Sequence, residues 1–217
     1  MAMNEAPPVP AATLILLRDI HPGPPEMLMI QREQGMVFAA GAWVWPGGRV
    51  DPVDHEAGHG SADGAHRIAA LRETREEVGL DLAGLSPDGL IPFARWLPKL
   101  LVPRRFDTIF FLARAPEPEA PLNLQPGEVA AAEWVRAEAM LERISRGEAG
   151  AIFPTKRNLE RMAQHDSIDA AFADARAFPV EPITPWVEDR DDGPHVVIAE
   201  GIGYPVTSEP LTTATRA

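Results

Sequence analysis

The stretch Arg72-Glu73-Thr74-Arg75-Glu76-Glu77-Val78-Gly79-Leu80 crowds three carboxylates into two helical turns. Like charges three or four apart on a helix repel by about 0.2–0.5 kcal/mol per pair. A hard divalent cation removes that cost, because Mg²⁺ and Mn²⁺ prefer oxygen ligands. With helical periodicity, Ala70, Leu71, Thr74 and Val78 share an arc that would face a core, and Glu73 and Glu77 lie on a neighbouring arc with Glu76 beside them. Arg72 stands four before Glu76, a spacing that lets guanidinium meet carboxylate. The same letters also suit a solvated helix face.

Upstream, Trp43-Val44-Trp45-Pro46-Gly47-Gly48 reads as a strand stopped by a tight glycine turn. Paired glycines let backbone approach backbone or a ligand with no Cβ in the way. Arg32, Arg49, Lys99, Arg104 and Arg105 are candidates for phosphate oxygens, which suit the guanidinium fork. Each alone also reads as a surface charge; Arg32 and Arg49 flank the glycine pair. Trp43, Trp45, Trp96 and Phe106 could stack on an adenine, but on apolar strands they read first as core. Glu128 is either a general base from outside the carboxylate helix or a solvated loop residue.

His55-Glu56-Ala57-Gly58-His59 spells a zinc-protease signature, H-E-x-x-H. That chemistry needs a helix carrying both imidazoles on one face. Gly58 and Gly60 each cost a helix about 1 kcal/mol relative to Ala, and no apolar stripe compensates. The segment 51–64 therefore reads as a loop.

The elements that must position these residues follow from periodicity and punctuation. Short apolar runs at 13–17, 27–30 and 43–45 predict strands, with 21–25 as the first turn. A helix is expected over about 65–78, closed by Gly79. Strands follow at 90–97, 108–113 and 131–135, with a proline-rich connection over 116–126. Helices are expected at about 137–146, at 156–164 with Thr155 as N-cap, and at 168–177 behind Ser167. The tail from 179 is rich in proline and acid, with one apolar run at 196–199. Strands first and helices later argue for a sheet covered by helices, an α/β (α+β) arrangement. One domain is expected over 1–217: a core at about 11–135, a helical part at about 136–178, and the tail 179–217.

The 217 residues carry a net charge of −12 and no cysteine. The charge opposes nucleic-acid and membrane-surface roles, which need a positive footprint. The missing cysteines exclude thiolate chemistry and fit a reducing cytoplasm, the expected location. The apolar run 11–17 is too short for a signal segment or a membrane span.

Taken together, glycine pair, acidic segment and R-E-x-x-E-E-x-G helix resemble the box of the Nudix hydrolase family, G-x5-E-x7-R-E-U-x-E-E-x-G-U. Gly48 fits the first glycine, Asp54 stands where the family has Glu, and Arg72, Glu73, Glu76, Glu77, Gly79 and Leu80 fit the second half, with Thr74 at a usually aliphatic position. Between Asp54 and Arg72 lie 17 residues rather than seven, an insertion of ten. The resemblance implies a mixed sheet between helices, Mg²⁺ or Mn²⁺ held by Glu73, Glu76 and Glu77, Arg72 orienting them, and water attack on a nucleotide-linked diphosphate. The runs around Met29-Ile30-Gln31-Arg32, Trp45-Pro46-Gly47-Gly48 and Arg104-Arg105-Phe106-Asp107 resemble the coenzyme A diphosphatase-like branch, some of whose members also carry a lengthened box. Arg32, Arg49, Gly47, Gly48, Arg104 and Arg105 are then the substrate-binding candidates, and Asp54, at a box position, and Glu128, as a base, are further possible site residues. ADP-ribose or another nucleoside diphosphate derivative stays open as substrate, a homodimer as assembly. A Nudix-fold binding module is the rival hinted at by Asp54, Thr74 and the insertion, and the retained glutamates oppose it.

Overall fold

A computed structural model describes residues 7–20, 23–36, 39–59, 62–98, 105–116 and 121–214. Arg104 and Lys99 lie outside the described residues. The chain opens with strands β1 (Val9–Arg18), β2 (Glu26–Arg32), β3 (Trp43–Val44) and β4 (Gly47–Arg49). Helices α1 (Pro52–Ala57) and α2 (Ala62–Val78) follow, then β5 (Ile91–Trp96), β6 (Phe106–Arg114) and β7 (Val129–Arg136). Helices α3 (Ala137–Ser145), α4 (Phe153–Met162) and α5 (Ile168–Ala177) come next. The tail forms β8 (Pro182–Ile183), β9 (Trp186–Arg190), β10 (Gly193–Val197), β11 (Ser208–Pro210) and the short α6 (Leu211–Ala214).

Strand β1 organises the main sheet, whose order is β3-β2-β1-β6-β5-β8, with β4 also on β1 and β7 also on β2. It runs parallel to β6 and antiparallel to β2 and β4, so the sheet is mixed. Its continuous apolar run has a simple cause: both faces are covered. Leu14 and Leu16 pack with Ala69, Ala70 and Val78 of α2, while Ile15 and Leu17 join Met140, Leu159 and Ile168 of α3, α4 and α5. The sheet thus lies between helices, as the sequence predicts. Losing a fully buried side chain such as Leu14 to Ala should cost about 2–5 kcal/mol.

Three expectations need correction. The segment 51–64 is not all loop, because α1 forms within it: Pro52 stands in its first turn, and the Asp54 carboxylate accepts from the Asp51 N–H at 2.8 Å. Gly47 and Gly48 are not a turn but strand β4, paired with Thr13 and Ala12. Thr155 is not the N-cap of α4; Ile152 is, because Pro154 in the first turn starts the helix earlier. The tail, for which the sequence suggests only an apolar run, folds into a three-stranded sheet of β9, β10 and β11.

The carboxylate helix is fixed at its end as well as its side. Gly79 closes α2 at φ +68°, and the Asn123 and Gln125 N–H groups donate to the Val78 and Glu77 carbonyls at 2.9 Å each. Orphan carbonyls of a helix C-terminus are satisfied in this way. Among the described residues, no helix is long and apolar enough to cross a membrane.

Candidate active site

Helix α2 lays one stripe on the sheet and turns the next toward β4. Ala70, Thr74 and Val78 are buried. Thr74, at the position that is usually aliphatic, remains in the core because its hydroxyl donates to the Ala70 carbonyl at 2.7 Å. This geometry carries Glu73 and Glu77 up against the two glycines of β4.

The glycines are required by close approach, not by backbone conformation. A Cβ on Gly47 would stand 2.4 Å from the Ala12 carbonyl oxygen, and one on Gly48 would stand 2.3 Å from Cδ of Glu73. The Gly47 N–H donates to Oε2 of Glu77 at 2.9 Å. Glu77 is only 3% exposed. Burial pushes its carboxyl up to about 8, against the Gly47 hydrogen bond and the Arg32 charge, with Glu73 and Glu128 adding to the rise. Burial also raises the Glu73 carboxyl, against the opposing pull of Arg72.

Arg72 is the hub that orders the helix edge. Its Nε and Nη2 reach Asp54 at 3.0 and 2.9 Å, Nη2 also donates to the Arg49 carbonyl at 2.9 Å, and Nη1 bonds Glu73 at 2.9 Å and Glu76 at 3.0 Å. These bonds occupy all five guanidinium N–H donors, a fork that lysine could not copy. Asp54 is fully buried. Burial alone would raise its carboxyl, but the Arg72 fork and the Asp51 amide hold it below the usual range. The role of Asp54 is thereby visible: it anchors Arg72, and α1 delivers the shorter side chain to the guanidinium. The insertion packs where Gly58 meets α2, since a Cβ there would lie 2.5 Å from the Ala65 nitrogen.

A cavity of about 560 Å³ opens over this edge, within the ordinary range of ligand pockets. Of the candidates, Arg32, Gly47, Gly48, Arg49, Glu73, Glu77 and Glu128 line it. Glu76 does not; its side chain is 54% exposed and turned to Arg72. Arg105 is not among the lining residues either. Arg32 stands 3.9 Å from Glu77, and the Glu128 carbonyl accepts from the Glu33 N–H at 2.9 Å, which ties the loop of Glu128 to the end of β2. Trp45, Trp96 and Phe106 line the cavity while Trp43 is core, covered by the Arg143 guanidinium at 4.9 Å. Ile152, Pro154 and Thr155 also reach the wall, and no local sequence signal marks them.

Among the described residues, no three His, Cys, Asp or Glu side chains already converge as a metal-holding group. The H-E-x-x-H letters do not make one: α1 ends at Ala57 and His59 has φ +52°, so the two imidazoles do not share a helix. Glu73 and Glu77 do fit a hard divalent cation. They are oxygen donors at the cavity wall, Glu77 buried and Glu73 half-buried. Mg²⁺ commonly takes one or two protein carboxylates and completes its shell with water and substrate phosphates.

Fold and site define a class, and comparison with known proteins agrees. Residues 7–155 match the NUDIX domain model. The chain belongs to the Nudix family. It resembles the Nudix hydrolase of Alicyclobacillus acidocaldarius, with a TM-score of 0.68 and 29% identity over 77% of this chain and 96% of that one. The Nudix domain of Shewanella oneidensis NrtR, solved with ADP-ribose, shares the fold at a TM-score of 0.52 and 16% identity, over 74% of this chain and 88% of that one. A probable Nudix hydrolase of Schizosaccharomyces pombe is 43% identical over 53 residues, 24% of this chain. That match spans only 15% of the yeast protein's length. Family and relatives support a hydrolase, as the carboxylate helix predicts.

Proposed function

We propose that this protein hydrolyses the phosphoanhydride bond of a nucleotide-linked diphosphate, with coenzyme A or an acyl derivative as substrate. The observation that carries the reaction is the placement of Glu73 and Glu77 side by side at the cavity wall, against glycines that leave them room. Glu73 and Glu77 would hold Mg²⁺ or Mn²⁺, with Glu76 joining only if it leaves Arg72. The cation, when bound, supplies Lewis-acid activation of water and neutralises charge on the phosphates. Arg32 and Arg49 orient phosphate oxygens from either side of the glycine pair. The attacking water gives its proton to one of the three carboxylates lining the cavity, Glu73, Glu77 or Glu128. One P–O bond forms, the bridging P–O bond breaks, and two phosphate-bearing products leave.

Coenzyme A is supported by the resemblance of residues 28–54 and 104–111 to that branch of the family. ADP-ribose, the ligand of the NrtR complex, is the natural competitor. The test is kcat/KM for coenzyme A, dephospho-coenzyme A and ADP-ribose in Mg²⁺ and in Mn²⁺. The reading predicts coenzyme A ahead of both; a bidentate Arg–phosphate contact, worth about 1.5–3 kcal/mol, would give roughly ten- to a hundred-fold over the dephospho compound. ADP-ribose ahead by about tenfold, some 1.4 kcal/mol, would overturn the substrate and leave the reaction standing. The cytoplasm remains the proposed location, and a small-molecule diphosphate rather than nucleic acid the proposed partner.

A further inference from the structure

The cavity is lined by two unlike sets of residues. Its charged lining residues, Arg32, Arg49, Glu73, Glu77 and Glu128, come from β2, β4, α2 and the loop before β7. From β5, β6 and the start of α4 come the apolar Trp96, Phe106, Phe110, Ile152 and Pro154, with the hydroxyls of Thr108 and Thr155 among them. Among the described lining residues, no Lys, Arg, Asp or Glu comes from β5, β6 or the start of α4. A second phosphate or sugar acid placed there would lose water with no charge to replace it, a costly transfer.

The apolar wall is also held still. The Trp96 indole N–H donates to Oδ1 of Asn158 at 3.2 Å, and the Tyr204 hydroxyl donates to the same oxygen at 2.7 Å. Phe153 and Tyr204 meet the Trp96 ring edge-on, with centroids 6.0 and 5.7 Å away. A wall fixed in advance gives up little side-chain entropy when a ligand settles on it. Helix α4 and the segment before β11 thus shape this part of the cavity lining, although they lie far from the carboxylate helix in sequence.

We infer that this wall is a subsite for an uncharged, largely apolar arm of the substrate, attached to the diphosphate whose cleavage the preceding reading assigns to Glu73 and Glu77. The arm belongs to the chemical class of aliphatic or acyl chains rather than sugars or second phosphates. Ile152 is its specificity residue: it is half-buried, lines the wall, and occupies the N-cap of α4.

That last position supplies a clean variant. Aspartate is among the favoured N-cap residues, so Ile152→Asp puts a charge on the apolar wall without opposing the helix. The probes are two α,β-methylene analogues of adenosine diphosphate esters, one bearing a hexyl arm and one a ribosyl arm, which resist hydrolysis. Binding is measured by calorimetry in Mg²⁺ on the full chain. At about 0.8 kcal/mol per buried methylene, two well-seated methylenes already give more than tenfold. The hexyl ester should bind at least about tenfold tighter than the ribosyl ester, with a more negative heat-capacity change. Ile152→Asp should abolish that difference, with the hexyl ester losing at least about tenfold in affinity. Equal affinities in the wild type, a hexyl preference that survives Ile152→Asp, or no binding of either ester would overturn the subsite. Turnover of the hydrolysable esters, followed in parallel, reports separately on the diphosphatase reading, because the analogues bind without reacting.

Discussion

The carboxyl group of Glu73 occupies the space that a side chain on Gly48 would need: a Cβ there would fall 2.3 Å from Glu73 Cδ. The neighbouring glycine faces backbone instead, 2.4 Å from the Ala12 carbonyl oxygen. Two adjacent glycines therefore serve different ends, one making room for the Glu73 carboxylate and the other allowing β4 to join β1. Gly48→Ala should fold with a melting temperature near wild type, because a flexible side chain can yield, while kcat falls about 10²-fold or more as Glu73 is displaced. Gly47→Ala should cost about 1–3 kcal/mol of stability, the scale of overpacking against rigid neighbours. Thermal melts and steady-state rates on the two variants check both halves.

Asp54 and Arg72 form the second relationship with consequences. Asp54→Ala leaves the guanidinium without its principal partner, and breaking a buried pair costs about 3–5 kcal/mol. Arg72 is partly exposed, so the lower end is expected. Asp54→Asn keeps the size but offers the Arg72 fork one oxygen in place of two, so it should lose some stability and also weaken Mg²⁺ affinity by about 10- to 100-fold, the scale for groups that orient metal ligands. Mg²⁺ titration of activity in Asp54→Asn distinguishes the two effects. An unchanged Mg²⁺ midpoint would remove Asp54 from any part in positioning Glu73.

How far the sequence could be read is clear from particular residues. Helix α2, its Gly79 stop and the burial of Ala70, Thr74 and Val78 follow from spacing, because residues four apart share one helix face. The strands emerge as apolar runs, with ends off by a few residues where pairing extends them. The glycine pair misleads, since its letters suit a turn while close approach is the true requirement, and approach depends on partners distant in sequence. Helix α1 is hidden by its shortness, by the glycine that follows it at 58, and by a capping interaction that pattern alone does not reveal. Ile152 and Pro154 reach the cavity only through the packing of α4 on the sheet, which no local motif encodes.

His55 and His59 offer a negative prediction. With α1 ending at Ala57 and His59 in the left-handed region, alanine at either position should leave kcat/KM essentially unchanged and remove no zinc. Stoichiometric zinc lost from both variants, along with activity, would reinstate the zinc reading.

Glu160, which does not line the cavity, makes stability depend on pH. Burial raises its carboxyl to about 7, against the attraction of Arg157 and Lys156 and with the help of Glu209. The folded state therefore holds a proton that the unfolded chain, titrating near about 4.3, has released. By linkage, the stabilisation is complete below the unfolded pKa and is lost as pH rises through about 7. The melting temperature of wild type should fall between pH 5 and pH 8 more steeply than that of Glu160→Gln. Parallel curves would show that Glu160 is ionised throughout.

The central claim is that Glu77 and its neighbour Glu73 drive cation-dependent diphosphate cleavage. The most direct measurement is product formation from coenzyme A, followed by phosphorus NMR, for wild type and Glu77→Gln in Mg²⁺ and in excess EDTA. The account predicts two phosphate-bearing products for wild type in Mg²⁺, none in EDTA, and a kcat lower by about 10²–10⁴-fold in Glu77→Gln, with the fold retained. Undiminished turnover in EDTA, or a wild-type rate in Glu77→Gln, would contradict it.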